Sequence, residues 1–321
     1  MEPDEQRRWW IEPGIFTAAA FLLYQVRALF FLAAVPLFLL GFRRGRHAQL
    51  YGIGLFILAV FVQTVVRMRG LDEPQLARFF TVIEMAYPVS LAVGIFVIQW
   101  RGERTLYKLL ESTALVGLLS MPIILVYSQN AEISAFMGEQ IRLITEAINN
   151  AFERGTLTAS AGNSDAEGLV ELIKGLFFRN FLFSYFLMLS GVWALSDGIY
   201  RRMIGDYPFR LKGFSVPVIF LWPFLGLWAG ILLDTLAGLG FIGYIVWNGG
   251  MVLLFVYALQ GIGILQTLFT KYGVGAGLRI AVTIASIIIL FTPGINLVLV
   301  AGVPLLGVSE YWIHYRIGEG E

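Results

Sequence analysis

Residues 216–272 read VPVIFLWPFLGLWAGILLDTLAGLGFIGYIVWNGGMVLLFVYALQGIGILQTLFTKY. Two apolar runs, at about 215–233 and 241–270, flank a short Gly-containing turn just after Asp234, and the second run closes on Lys271. A helix needs about 20 mostly apolar residues to cross about 30 Å of hydrocarbon. Each run reaches that length, so the stretch reads as two consecutive membrane crossings. The fold expected for the whole chain is therefore all-α, a polytopic transmembrane helical bundle.

The same ruler gives further spans at about 48–66, 80–99, 109–127 and 178–199. The run from Trp9 to Phe42 is too long for one crossing. It reads as two helices folded back at Arg27, because a single helix would hold that guanidinium near mid-bilayer at a cost on the order of a few kcal/mol. Residues 280–308 are interrupted by Pro293 and Gly294, and read as one kinked span or a short re-entrant pair. The total is about 8 to 9 spans. Trp9, Trp10 and Glu12 at the front of the first run, with no small-residue cleavage site, argue against a cleavable signal peptide.

Composition agrees with this reading. Of 321 residues 58% are hydrophobic and only 14% charged, against about 25% charged in a soluble domain. The net charge of +1 gives no basic excess of the kind nucleic-acid binders show. With no Cys and two His, His47 and His314, thiol chemistry and Cys/His metal sites are not expected. A Gly-rich phosphate loop with Lys and Ser/Thr is also missing, so no nucleotide hydrolysis, cofactor or catalytic residue is assigned.

Basic residues in short loops favour the cytoplasmic side. Loops at 43–47, 101–108, 201–212 and 271–279 carry Arg43, Arg44, Arg46, Arg101, Arg104, Lys108, Arg201, Arg202, Arg210, Lys212, Lys271 and Arg279. These face the cytoplasm in the expected topology, and the hairpin at Arg27 puts the N-terminus there too. Trp10, Trp100 and Trp312 fall at the expected borders as interfacial anchors.

Three regions follow: transmembrane helices over 1–127, an extracytoplasmic amphipathic segment over 128–177, and transmembrane helices over 178–321. In the middle segment Ile133, Phe136, Met137, Ile141, Ile144, Ile148 and Phe152 recur at helical spacing, while Glu139, Arg142, Glu146 and Glu153 mostly fall elsewhere. Its acidic balance suits a cap packed over the outer mouth of the bundle better than a helix lying on anionic lipid.

Polar side chains inside apolar spans are costly and become candidates for function. Glu84 lies about one turn inside the outer end of its span, and Arg27 at the hairpin apex is on the same side, where the two could pair. Asn248 and Tyr244, four residues apart, share a helix face. Gln260 is deeper toward the cytoplasm. Arg27, Glu84, Tyr244, Asn248 and Gln260 are the expected substrate-binding set, each weighed against a purely structural role in helix packing. Gly226 and Gly230, with Gly249, Gly250, Gly261 and Gly263, point to tight helix packing.

The quoted stretch, with its aromatic and Pro pair Trp222 and Pro223, the amide Asn248, and the Gln260 and Gly261 pair on a helix ending at Lys271, resembles the YybS-like bacterial membrane proteins. Residues 36–45 (PLFLLGFRRG) look like that family's second helix and basic turn, and residues 307–316 (GVSEYWIHYR) like its C-terminal signature, with Glu310 where an Asp is expected. The family is similar, more distantly, to the substrate-capturing S components of energy-coupling-factor transporters. The resemblance implies a non-enzymatic protein of the bacterial cytoplasmic membrane that binds a small solute or lipid in an outer-half pocket and docks with transporter partners. A scaffold that recruits envelope or division partners through its outer segment is the alternative. A membrane-embedded enzyme using Glu84 or Asp197 is the least favoured, because neither acid has a second catalytic group nearby in sequence.

Overall fold

The computed structural model of the chain describes residues 3–26, 29–68, 74–100, 104–129, 180–206, 211–290, 292 and 295–316, with isolated positions 139, 142, 143, 146 and 150. Every extended regular element among these residues is helical. Contacts divide the chain into one unit of residues 1–178 with 184–208 and a second of 179–183 with 209–321.

In the first unit α1 (Pro3–Gln25) is followed by a break, a 3-10 turn (Phe30–Ala33) and α2 (Ala34–Arg44). The chain folds back on itself here. Arg44 grips Glu12 with two charge-assisted hydrogen bonds of 2.6 and 2.7 Å, and the Arg43 guanidinium lies 5.9 Å over the Phe16 ring. The expected hairpin is present, although its apex residue Arg27 lies outside the described residues. Its returning arm is a 4-residue turn plus an 11-residue helix, shorter than the about 20 residues a full crossing needs.

Gly45 stands at φ 83° between α2 and α3 (Arg46–Met68). Side chains rarely adopt that backbone conformation, and Gly adopts it without a steric penalty, so α3 can start one residue after α2 ends. Just past the corner the buried Gln49 donates its amide to the Leu37 carbonyl at 3.0 Å. Gly41 makes room for it, since a Cβ there would stand 2.6 Å from that amide.

Helices α4 (Pro74–Trp100), α5 (Thr105–Gln129) and, from Ser184 onward, α6 (Phe181–Met203) complete this unit; the first turn of α6 belongs to the second. The buried Tyr185 of α6 donates its hydroxyl to the Ser90 carbonyl at 2.8 Å and lies 3.0 Å from the Ser112 hydroxyl. Its oxygen fits against Gly94, where a Cβ would come within 2.5 Å. Phe38, Phe56, Leu91, Ile95 and Leu189 are fully enclosed and form the apolar core. At the end of α6, Asp197 pairs with Arg201 at 2.7 Å, and Arg201 reaches on to Asp206 at 2.9 Å.

The second unit is built on α8 (Phe241–Lys271), with α7 (Leu221–Ala237) and α10 (Asn296–Ser309) packed against it and α9 (Ala276–Leu290) packed on α10. Half of the most apolar window of α8 is enclosed, against 22% for α7, so α8 is the central helix. Asp234 closes the α7–α8 turn: its carboxylate accepts the Leu239 N–H at 2.8 Å and the Trp247 indole N–H at 2.9 Å. That buried carboxylate organises the turn, a role its placement at a span border does not suggest.

α8 and α10 cross at backbone contact. A Cβ on Gly261 would collide with the Val303 carbonyl, and one on Gly307 with the Tyr257 carbonyl. Residue 257 meets 307 and residue 261 meets 303, so the two helices run antiparallel. Small residues allow this approach. Between α7 and α8, Gly230 packs on Val246 and Gly249 on Leu227, whereas Gly226 faces open space. The segment 280–308 is thus two helices that pack together, of 15 and 14 residues; its Pro293 and Gly294 lie outside the described residues.

Four helices among the described residues are long and apolar enough to cross a membrane: Arg46–Arg67, Phe181–Met203, Val218–Ala237 and Phe241–Lys271. Large apolar side chains such as Trp222, Leu232, Leu236 and Ile288 point outward from these and neighbouring helices. So much contiguous apolar surface suits hydrocarbon and not water.

The middle segment is described only at isolated positions. There the exposed Arg142 donates to Glu139 at 2.6 and 2.9 Å and to Glu146 at 2.7 Å, and the hydrogen bond from Arg142 holds the Glu139 carboxyl below its ordinary pKa. The remainder of the expected amphipathic helix and its loop lies outside the described residues.

Candidate functional site

Polar side chains collect at three places, one in the first unit and two in the second. In the first unit α1 and α3 end where α4 begins its apolar stretch, and Glu84 is the centre of a cluster. Its Oε1 accepts from Arg67 Nη1 at 3.0 Å and its Oε2 from the Thr64 hydroxyl at 3.1 Å, while the Tyr24 hydroxyl reaches the Glu84 carbonyl oxygen at 3.5 Å. Gln25 and Gln63 exchange two amide hydrogen bonds of 2.6 and 2.7 Å. Tyr87 stacks beside Tyr24 at 6.4 Å between ring centres. The Glu84 side chain is 29% exposed and that of Arg67 54%.

Arg67 thus pairs with Glu84, while Arg27, for which the sequence suggested that pairing, lies outside the described residues. Sequence reasoning missed Arg67 because it stands at the end of its apolar run, where it reads as a border residue. A helical turn before it, Thr64 and Gln63 already point to a polar face.

The second collection, at the α7–α8 turn, includes Asn248 and Tyr244. Asn248 Oδ1 accepts the Phe183 N–H at 3.1 Å and Nδ2 donates to the Tyr244 carbonyl at 2.8 Å. That amide thereby satisfies the first turn of another helix. Tyr244 stacks with Phe241, 6.4 Å between ring centres, and its hydroxyl is enclosed without a hydrogen-bond partner.

Gln260 lies 12 residues beyond Asn248, about 18 Å along the same helix, and belongs to the third collection. Its Oε1 accepts the Val216 N–H at 2.7 Å; its Nε2 donates to the Gly307 carbonyl at 2.9 Å and to Glu310 Oε2 at 2.8 Å. Arg316 donates to the carbonyls of Lys212 at 3.1 Å, Phe214 at 2.8 Å and Gln260 at 3.2 Å. Its Nε stands 2.9 Å from Glu310 Oε1, an ion pair by distance whose N–H lies off the hydrogen-bond direction. The Tyr311 hydroxyl reaches the Val216 and Pro217 carbonyls at 3.0 and 3.2 Å and the Tyr257 hydroxyl at 3.2 Å.

With its single proton committed to a backbone carbonyl, Tyr311 accepts from Tyr257. Burial pushes the Tyr311 hydroxyl above the ordinary tyrosine pKa, and the nearby Glu310 charge adds to this while the bond with Tyr257 opposes it. The phenol stays neutral and can donate. Every polar atom of Gln260 is thus spent on tying the 211–217 loop and the C-terminal segment to α8. The cluster is a clasp, with little hydrogen-bonding capacity left for a ligand.

The other expected motif residues fall around the same unit. Trp222 and Pro223 occupy the first turn of α7, where the missing Pro N–H costs no helical bond; Trp222 is 75% exposed. Gly261 sits at the α8–α10 crossing. Glu84 belongs to the first unit and Tyr244, Asn248 and Gln260 to the second. Within the second unit Tyr244 and Asn248 come together, and Gln260 belongs to a different cluster. No protein-family model, curated protein or solved structure matches this chain.

Proposed function

We propose that the chain is a polytopic protein of the bacterial cytoplasmic membrane, with about eight to nine spans, that captures a small polar solute at the Glu84 cluster on its outer side. The carrying observation is the surplus of partly exposed polar groups there. A staple between helices needs one ion pair, but Tyr24, Gln25, Gln63, Arg67 and Glu84, with the buried Thr64, gather from the ends of three helices. A half-open carboxylate beside an exposed guanidinium suits a solute that carries both a cationic and an anionic group. The resemblance to YybS-like proteins, and through them to S components, supports a place as the substrate-binding subunit of a transporter whose energy comes from a partner.

Glu84→Gln is expected to lower solute affinity about tenfold or more, since a hydrogen bond to a charged group contributes about 1.5–3 kcal/mol and about 1.4 kcal/mol is tenfold. Native mass spectrometry and thermal shift across a panel of vitamins, amino acids and metals would identify the solute, followed by titration of the variant. A purified protein that carries no small molecule and is stabilised by nothing in the panel overturns the reading. A variant with a lowered melting temperature and unchanged solute affinity assigns Glu84 to helix stapling alone.

In the same proposal the loops at 43–47, 101–108, 201–212 and 271–279 face the cytoplasm. Single Cys residues introduced at Thr105 and Ser164 into this Cys-free chain are expected to react with impermeant maleimide from opposite sides of the membrane. Reaction of both from the same side overturns that topology.

A further inference from the structure

A second feature of the first unit lies at the opposite end of α3 and α4 from Glu84. There α3, α4 and α5 leave an open groove of about 410 Å³, walled by Leu50, Ile53, Ala92, Phe96 and Leu115, with Trp100 at its mouth. A volume of that size is within the range of about 300–1,000 Å³ typical of ligand sites. From Trp100 to Ala92 is eight residues of helix, about 12 Å, close to the about 15 Å of hydrocarbon in one leaflet of a bilayer about 30 Å thick. The groove therefore has the depth and apolarity of a slot for an acyl chain entering from the basic end.

The mouth is cationic. The Arg46 guanidinium lies 4.9 Å over the Trp100 ring, and the His47 ring stands edge-on to the same indole at 6.2 Å. Lys108 Nζ donates to the Ile98 carbonyl at 3.0 Å, which fixes its ammonium beside the last turn of α4. Arg104, at the head of α5, is exposed. Glu111 is the acid on the groove wall, one turn below Lys108.

We propose that this groove holds one acyl chain of an anionic phospholipid, with its phosphate between Arg46 and Lys108 and Trp100 flanking the headgroup. Basic pockets between membrane helices on the cytoplasmic side are suited to anionic headgroups. The charge at the mouth selects a phosphatidylglycerol-type lipid over a zwitterionic one with the same chains. This site is separate from the Glu84 cluster, and its occupation does not depend on that cluster binding a solute.

The full-length protein in detergent would be titrated with phosphatidylglycerol and with phosphatidylcholine of identical chains, with bound lipid read by native mass spectrometry. Retention of the anionic lipid is expected to exceed that of the zwitterionic one about tenfold and to fall with added salt. Arg46→Gln with Lys108→Gln should abolish the preference. Ala92→Trp, which fills the floor, should lower retention of both lipids, with helical content by circular dichroism unchanged in each variant. Equal retention of the two lipids by the wild type, or an unaltered preference in the double variant, overturns the charged mouth. Unaltered retention in Ala92→Trp overturns the groove.

Discussion

Gly261→Val is expected to lower the melting temperature of the detergent-solubilised protein by about 5 °C or more. The added side chain would have to displace the Val303 carbonyl, which is backbone and cannot rotate aside. Overpacking a well-packed core costs about 1–3 kcal/mol and occasionally more, and each kcal/mol shifts the midpoint by roughly 2–4 °C for 150–250 residues and by less in a longer chain; the upper end of the cost applies because both helices must separate. Gly226→Val is the control: the position is open and should move the midpoint by no more than about 2 °C. Equal melting of the two variants would show that α8 and α10 do not cross at Gly261.

Arg316→Ala should have an effect of comparable size, about 2–4 kcal/mol, with the C-terminal segment and residues 211–217 losing protection together. The substitution removes the donors to three carbonyls and leaves the Glu310 carboxylate, only 15% exposed, without its cation. Removing one partner of a buried pair costs about 3–5 kcal/mol, reduced here because both groups keep some access to solvent. Arg316→Lys should restore little of this, since one ammonium cannot reach carbonyls that the guanidinium fork serves at once. Glu310→Gln should be milder, as an amide oxygen still accepts from Gln260. Hydrogen exchange followed by mass spectrometry reads the local effect. Protection unchanged at 211–217 in Arg316→Ala would mean that the clasp does not hold the loop.

Length and hydropathy were sufficient to place most of the helices. The runs near 48–66, 178–199, 215–233 and 241–270 each became a helix with ends within a few residues, because an apolar run of that length leaves little choice of secondary structure. The fold-back near Arg27 was also legible, since a mid-bilayer guanidinium is costly. Pairings between distant residues were not. Arg67 lies 17 residues from Glu84, and Gln260 lies 44 from Val216 and 50 from Glu310; periodicity within one helix carries no information about which neighbour it will meet.

For the same reason Asn248 and Gln260 read as possible ligands. An amide in an apolar run looks identical whether its partner is a solute or another helix. Gln260 turned out to hold a loop N–H and the C-terminal segment, and Asn248 the first turn of α6. Trp100 was readable as an interfacial anchor, but the groove beside it requires three helices to be placed before it exists.

The lengths of the helices in the second unit impose a condition on the surrounding lipid. α8 has 31 residues, about 46 Å at helical rise, while α9 and α10 reach only about 22 Å each. A flat hydrocarbon layer about 30 Å thick cannot match both. Tilting alone would require about 50° for α8, outside the 0–40° range of membrane helices. Hydrophobic mismatch is therefore built into this unit, so the elastic state of the bilayer contributes to its energy alongside its internal contacts.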